Sequence, residues 1–307
     1  MTVERLYSGD LPDGLADYLN DHSFLTSTGF LDLWSSLGGR AVYWGLRDGN
    51  DWQVVLPGVE YGRGLTRRIQ FLSDGFYAQV VSPSGSAVTS KGLLRLLEGI
   101  RSGGYCRTHV YDFDSVFPEA DEFEVRECRT ALVDVSAPDW EPPDAKLRSE
   151  IRKAEREGIT VEAFDPARHF EGFVSLWEGT AQRQGREPSF GRAFYELVAE
   201  LSTTDDRLRW KYVAHEGRPA ASHIYIRLPG VLFHWQVFFD KSFSFLKPNQ
   251  YLLYSAAQEA AKSGLKVLNL GATPPDAESL AAYKDKWGGR AYSYRCLERR
   301  TWVGRLR

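Results

Sequence analysis

The residues best placed to do chemistry lie on one hairpin. Pro229-Gly230 separates two alternating stretches, 220–227 and 231–239. A two-residue loop there pairs Leu228 with Val231 and sets the register of everything beyond it. Tyr225 then faces His234, His223 faces Gln236, and all four side chains share one side of the hairpin. The other side carries Ile224, Ile226, Phe233, Trp235 and Val237 and reads as core. Buried polar groups need hydrogen-bond partners, so the row of His, Tyr, His and Gln is either wet or lines a pocket. A one-residue slip would disperse the set over both faces.

A second candidate is Lys284, in the segment DAESLAAYKDKWGG. On a helix, Leu280, Tyr283 and Trp287 form an apolar stripe and Lys284 sits at its margin. A lysine there either snorkels to solvent or neutralises an anionic ligand or a developing oxyanion. Gly288-Gly289 behind the helix permits close backbone approach.

Several elements must position these groups. Proline and acid crowd APDWEPPD near 137–144, which reads as a domain boundary and divides the chain into 1–140 and 141–307. A helix follows over 144–157, capped by Asp144 and closed by Gly158, with Leu147, Ile151 and Ala154 on its apolar stripe. Asp165-Pro166 opens a second helix that ends by Gly185, and a third covers 190–202. Strands at 208–215, 220–227 and 231–239 form an antiparallel meander, followed by a helix over 248–263, a strand over 267–270, a helix over 277–287 and a strand near 291–298. The first half repeats the order faintly: a hairpin over 40–59, a strand over 76–81, a helix over 91–101 and a strand over 106–113. Given twice, this order implies two similar α/β domains, each a mixed, mostly antiparallel sheet flanked by helices.

Composition narrows the function. The 307 residues are 43% hydrophobic and 26% charged, as expected of a globular chain of two domains. Residues 1–143 hold 12 Lys/Arg against 21 Asp/Glu, and residues 144–307 hold 26 against 20. A basic second half suits an anionic partner, although ordinary surface variation produces the same imbalance. Cys106, Cys128 and Cys296 are far apart, so neither a metal cluster nor a disulfide framework is expected. The N-terminus has no apolar run resembling a signal peptide and no stretch is long enough to span a membrane, so a cytoplasmic protein is expected. The sequence has no phosphate-binding GxxxxGK[ST], no strand-linked GxGxxG, no GxSxG and no HExxH.

Four segments carry a resemblance. KLRSEIRKAEREGITVE (146–162), LWEGTAQRQGREPSF (176–190), LKPNQYLLYSAAQEAAKSGLKVLNLG (246–271) and LAAYKDKWGG (280–289) resemble the second domain of FemABX-like peptidyltransferases, a branch of the GNAT acyltransferase superfamily. The first half resembles the family by architecture, with Tyr77 placed like its strand tyrosine. The resemblance implies tandem GNAT-like domains and transfer of an acyl or aminoacyl group to an amine. It implies no permanently bound cofactor, with aminoacyl-tRNA or acyl-CoA as co-substrate. The acceptor would be an amine, with cell-wall and polysaccharide precursors among the candidates, and DNA is not expected.

Under that reading Lys284 handles the donor or its oxyanion. His234 is the candidate base for the attacking amine and Tyr225 its partner. His223, Gln236, Arg183, Asn249, Tyr283 and Tyr77 would bind substrate, and no metal is expected. Tyr283 stands where the family commonly has phenylalanine. Residues 240–247 contain no glycine, so the usual GNAT pyrophosphate loop is absent, which weighs against coenzyme A. A non-catalytic ligand-binding protein on the same scaffold is the rival reading; a nucleic-acid-binding module is a third.

Overall fold

The computed structural model describes residues 1–72, 76, 79–185, 187–188 and 190–305. They form two compact units, Met1–Arg129 with Ser293–Arg307, and Thr130–Tyr292. The expected division after 140 differs on both counts. The proline-rich segment lies inside the second unit, because the strand before it already pairs there. The last strand returns to the first unit.

In the first unit the elements run β1 (Thr2–Tyr7), α1 (Asp13–His22), α2 (Thr28–Asp32), β2 (Gly39–Asp48), β3 (Asp51–Tyr61), β4 (Arg68–Phe71), α3 (Ser90–Ser102) and β5 (Arg107–Asp112); β6 (Glu124–Asp134) follows and passes into the second unit at Thr130. The second unit adds α4 (Ala145–Arg156), β7 (Glu162–Ala163), α5 (Pro166–Gln184), α6 (Arg192–Thr204), β8 (Leu208–His215), β9 (Arg218–Leu228), β10 (Val231–Phe239), α7 (Pro248–Lys262), β11 (Val267–Ala272) and α8 (Glu278–Lys286). β12 (Arg290–Arg300) and α9 (Trp302–Arg305) close the chain.

The first unit orders its strands β1-β2-β3-β4-β5-β12. The β4–β5 pair is parallel and its neighbours are antiparallel. Val42, Leu56, Phe71 and Val110 of this sheet pack against Leu93, Leu96 and Ile100 of α3. The expected strand over 76–81 is not formed among the described residues; Val81 makes only an isolated bridge to Val55. The parallel strand is instead β4, four residues long, which takes its order from β5 beside it.

The second unit orders its strands β6-β11-β10-β9-β8-β7, with β10–β11 the parallel pair. Two turns set the meander. Glu216 and Gly217 both have positive φ, 50° and 74°, the geometry of a tight hairpin turn. At Pro229-Gly230, Leu228 pairs with Val231 and Gly230 takes φ 72°, so proline and glycine supply the two angles of a type II turn. Helices cover both faces. Phe173 of α5 meets Trp210 and Phe238 edge-on, at 4.7 and 5.1 Å. On the other side Leu253, Ala256, Ala257 and Ala260 of α7 pack against Tyr225, Leu232 and Leu268. α4 is capped by Asp144, whose carboxylate accepts from Leu147 N at 2.6 Å, and lays Leu147 and Ile151 on the α7 side. Both units are therefore mixed, mostly antiparallel sheets flanked by helices.

Candidate active site

The hairpin register holds as far as His234, which pairs with Tyr225. It then slips: Gln236 pairs with Ile224 and Val237 with His223. Trp235 is the extra residue of a β-bulge, which reverses the faces beyond it. Gln236 thus leaves the histidine side and is not part of the polar set. Trp235 and Val237 are not the core residues expected of them: Trp235 is half-buried against Phe190 and Phe194, and Val237 is 38% exposed. The slip falls where β10 loses its partner. The parallel ladder to β11 ends at Phe233–Asn269, and β11 is irregular between Asn269 and Ala272, where Gly271 has φ 77°. Past that point the two strands no longer hydrogen-bond, and the free edge of β10 begins at His234.

Four of the expected residues meet here. His223 is buried, and its Nε2 lies 3.1 Å from Asn249 Oδ1 on the first turn of α7. An amide oxygen only accepts, so His223 Nε2 carries the proton and Nδ1 is the acceptor. Tyr225 donates its hydroxyl to Nδ1 at 2.9 Å, and His234 Nε2 approaches the same atom at 3.2 Å. His223 Nδ1 has one lone pair and the shorter contact takes it, so the His234 contact leaves the tautomer of His234 unassigned; His234 Nδ1 makes no hydrogen bond among the described residues. The ring of His234 stacks on Tyr225 with centroids 4.8 Å apart. Burial pushes His223 down to about 4, and burial with the neighbouring His223 and Lys284 holds His234 well below its ordinary value. Both imidazoles are neutral near pH 7. Burial raises Tyr225 and keeps its hydroxyl a donor.

Lys284 is buried, 4% exposed. Its ammonium donates to Gly271 O at 2.7 Å, Ala272 O at 2.8 Å and Thr273 Oγ1 at 3.0 Å. All three of its protons are used. Burial lowers its pKa to about 8, so it is mostly charged at neutral pH. The lysine thus pins the end of β11, and Gly271 links it to the histidines: a Cβ on Gly271 would lie 3.4 Å from His234 O. Thr130 Oγ1 supports the same corner, 2.6 Å from Asn269 Oδ1 and 2.7 Å from Gly271 O. Sequence reasoning missed Thr130, Asn269, Gly271 and Thr273. The one available signal was the asparagine inside the apolar run VLNLGA.

The remaining candidates scatter. Tyr283 is half-buried beside Trp287, 6.3 Å between rings, and burial raises its hydroxyl to about 12. Arg183 lies at the end of α5, bonded to Gly179 O and Thr180 Oγ1 and stacked 4.5 Å over Phe239, five residues along β10 from His234. Tyr77 lies outside the described residues. Among the described residues no group of three or more His, Cys, Asp or Glu is arranged to hold a metal ion.

A mixed sheet whose parallel central pair parts at a bulge, with a helix packed behind the parting strand, is the arrangement of the GNAT fold. Residues 144–285 match the family model described as an acetyltransferase (GNAT) domain. The whole chain has the tandem, FemABX-like form of that fold. It resembles the crystal structure of FemX, at 14% identity and TM-score 0.71 over 95% of this chain and 96% of that one. It also resembles L-PGS from Bacillus licheniformis, at 14% identity and TM-score 0.61 over 96% of each chain. A tandem GNAT protein from the clavulanic acid biosynthesis pathway follows, at 13% identity and TM-score 0.54 over 97% of this chain and 98% of that one. No curated protein matches the sequence. No described helix is long and apolar enough to cross a membrane.

Proposed function

We propose that the protein moves an aminoacyl or acyl group from an activated ester or thioester, aminoacyl-tRNA or acyl-CoA, onto an amine. The observation that carries this reading is the neutral His234, backed by His223 and Tyr225, at the point where β10 parts from β11. The free edge of β10 offers backbone amides and carbonyls to a ligand where a strand would otherwise lie. An acyl carbonyl held along that edge lies beside His234.

The step itself is direct attack. The uncharged acceptor amine adds to the acyl carbon, and its proton passes to His234 Nδ1. The charge on His234 is then shared through Nε2 with the Nδ1 of His223. The tetrahedral intermediate collapses with the C–N bond kept and the C–O or C–S bond broken. His234 returns the proton to the leaving ribose hydroxyl or thiol. Lys284 acts through position and charge: it fixes the Gly271 corner, and its positive charge near the site favours a developing oxyanion. Asn249 fixes the tautomer of His223.

Aminoacyl-tRNA is the donor favoured by two features. The chain resembles FemX over nearly its whole length, and residues 240–247, between β10 and α7, contain no glycine to cradle a pyrophosphate. Thermal shift separates the donors. Charged tRNA, uncharged tRNA and acetyl-CoA are each added near 100 times their dissociation constants, where a ligand adds about 2.7 kcal/mol. A rise of several degrees with charged tRNA alone supports an aminoacyl donor. A rise with acetyl-CoA alone makes it a thioester enzyme, and no rise with either removes both donors.

A further inference from the structure

At the other end of α7 the same sheet face is open. A pocket of about 280 Å³ lies between β8, β9 and β10 on one side and the second half of α7 on the other. Its floor is Tyr225, Leu232 and Leu265, and the short side chains of Ala256 and Ala260 leave the space. Its rim is cationic: Arg209, Lys211, Arg227 and Lys262 surround it, with Glu259 the one acid among the lining residues. The register explains the convergence. Arg209 pairs with Tyr225 and Leu232 with Arg227, so these residues project on the same side of the sheet.

Part of this charge is already answered. Lys211 is paired with Glu259, and Arg209 reaches Asp206 at 3.2 Å. Arg227 and Lys262 have neither an ion pair nor a side-chain hydrogen bond among the described residues. Two unmatched cations over an apolar floor suit a ligand with a dianionic head and a carbon body. A guanidinium grips phosphate oxygens in pairs, a lysine adds a point charge, and Tyr225 and Leu232 take the apolar part. A single carboxylate would leave one cation unanswered. The volume sits at the small end of ligand sites, too small for a tRNA or a coenzyme.

We propose that this pocket binds a small phosphate monoester, at a site separate from the one where acyl transfer takes place. Asn249 and Glu259 are ten residues apart on α7, or about 15 Å along its axis. Tyr225 joins the two places: its ring floors the pocket and its hydroxyl is bonded to His223. The proposal does not depend on the identity of the acyl donor or on whether transfer occurs.

The test uses the full chain in isothermal titration and thermal shift. The probes are glucose 1-phosphate and AMP, with sodium chloride at matched ionic strength as the control. Saturating phosphate ester is expected to raise Tm by several degrees beyond the salt control. A response to the sugar phosphate alone or to AMP alone identifies the body the pocket accepts, and either supports the site. Arg227→Ala and Lys262→Ala should each weaken binding about 10-fold, with Arg227→Lys retaining part of the affinity. Both residues are unpaired at the surface, so the unliganded Tm should stay within about a degree. No shift beyond salt from either probe overturns the proposal, and so does undiminished affinity in both alanine variants.

Discussion

Replacing Lys284 with methionine isolates the burial of one ammonium. Methionine keeps most of the apolar stem and removes the charge and its three hydrogen bonds, to Gly271 O, Ala272 O and Thr273 Oγ1. Burial lowers the lysine pKa to about 8 from its ordinary value of 10.5. Between those values the unfolded chain holds a proton that the folded chain has released, so this group makes the native state more stable as pH rises. Below about 8 both states are protonated and the contribution is flat. At 1.36 kcal/mol per pH unit, the full span corresponds to roughly 3 kcal/mol. Buried tyrosines such as Tyr225, whose values are raised, act in the opposite sense at high pH, but they are common to both proteins and cancel in the difference. Unfolding in guanidinium chloride, followed by tryptophan fluorescence from about pH 7.5 to 10.5, gives that difference. Wild-type stability minus that of Lys284→Met should grow by roughly 3 kcal/mol across the window. A difference that stays flat would mean that the ammonium is solvated in solution, and the placement of Lys284 against β11 would be wrong.

Other consequences are smaller or simpler to read. His223 titrates near 4 in the fold, below its ordinary value of 6.5, so stability should fall as pH drops from about 6.5 to 4, by up to roughly 3 kcal/mol. His223→Phe should remove its share of the acid-side loss in urea unfolding, leaving the share of the buried His234, while lowering stability at pH 7, because it leaves Tyr225 and Asn249 unpaired. Tyr225→Phe removes one hydrogen bond and should cost about 1 kcal/mol by the same measurement. Gly271→Ala forces a side chain into φ 77° beside His234 O and should cost about 1–2 kcal/mol, read as a lower Tm.

The sequence carried the second unit in detail because its signals are local. Asp144, Asp165-Pro166, Glu216-Gly217 and Pro229-Gly230 each fix a cap or a turn within a few residues, and the elements between them fall close to where the pattern puts them. The convergence of His223, Tyr225 and His234 followed from one turn and strict alternation. What failed was set from a distance. The bulge at Trp235 lies where β10 parts from β11, some thirty residues later in sequence, and no pattern within the hairpin announces it. That single extra residue moved Gln236 off the site. β4 is four residues long and exists by pairing with β5, across a gap of more than thirty residues, so its local pattern is weak. The acceptors of Lys284 are backbone carbonyls, which sequence type does not mark. The boundary shifted because β6 already pairs with β11 before the prolines, although the prolines looked like the break.

The most direct test of the acyl-transfer account is a transfer assay. Radiolabelled aminoacyl-tRNA and acetyl-CoA are offered separately with a panel of amine acceptors, and label is followed from donor to acceptor. The protein and its His234→Gln variant are compared after circular dichroism has shown equal folding. The account predicts label in the amide product with at least one donor, and a rate about 100-fold or more lower for the variant, the usual scale of a lost general base. Donor binding with no labelled product, or equal rates for the two proteins, would contradict it and leave a binding protein on an acyltransferase fold.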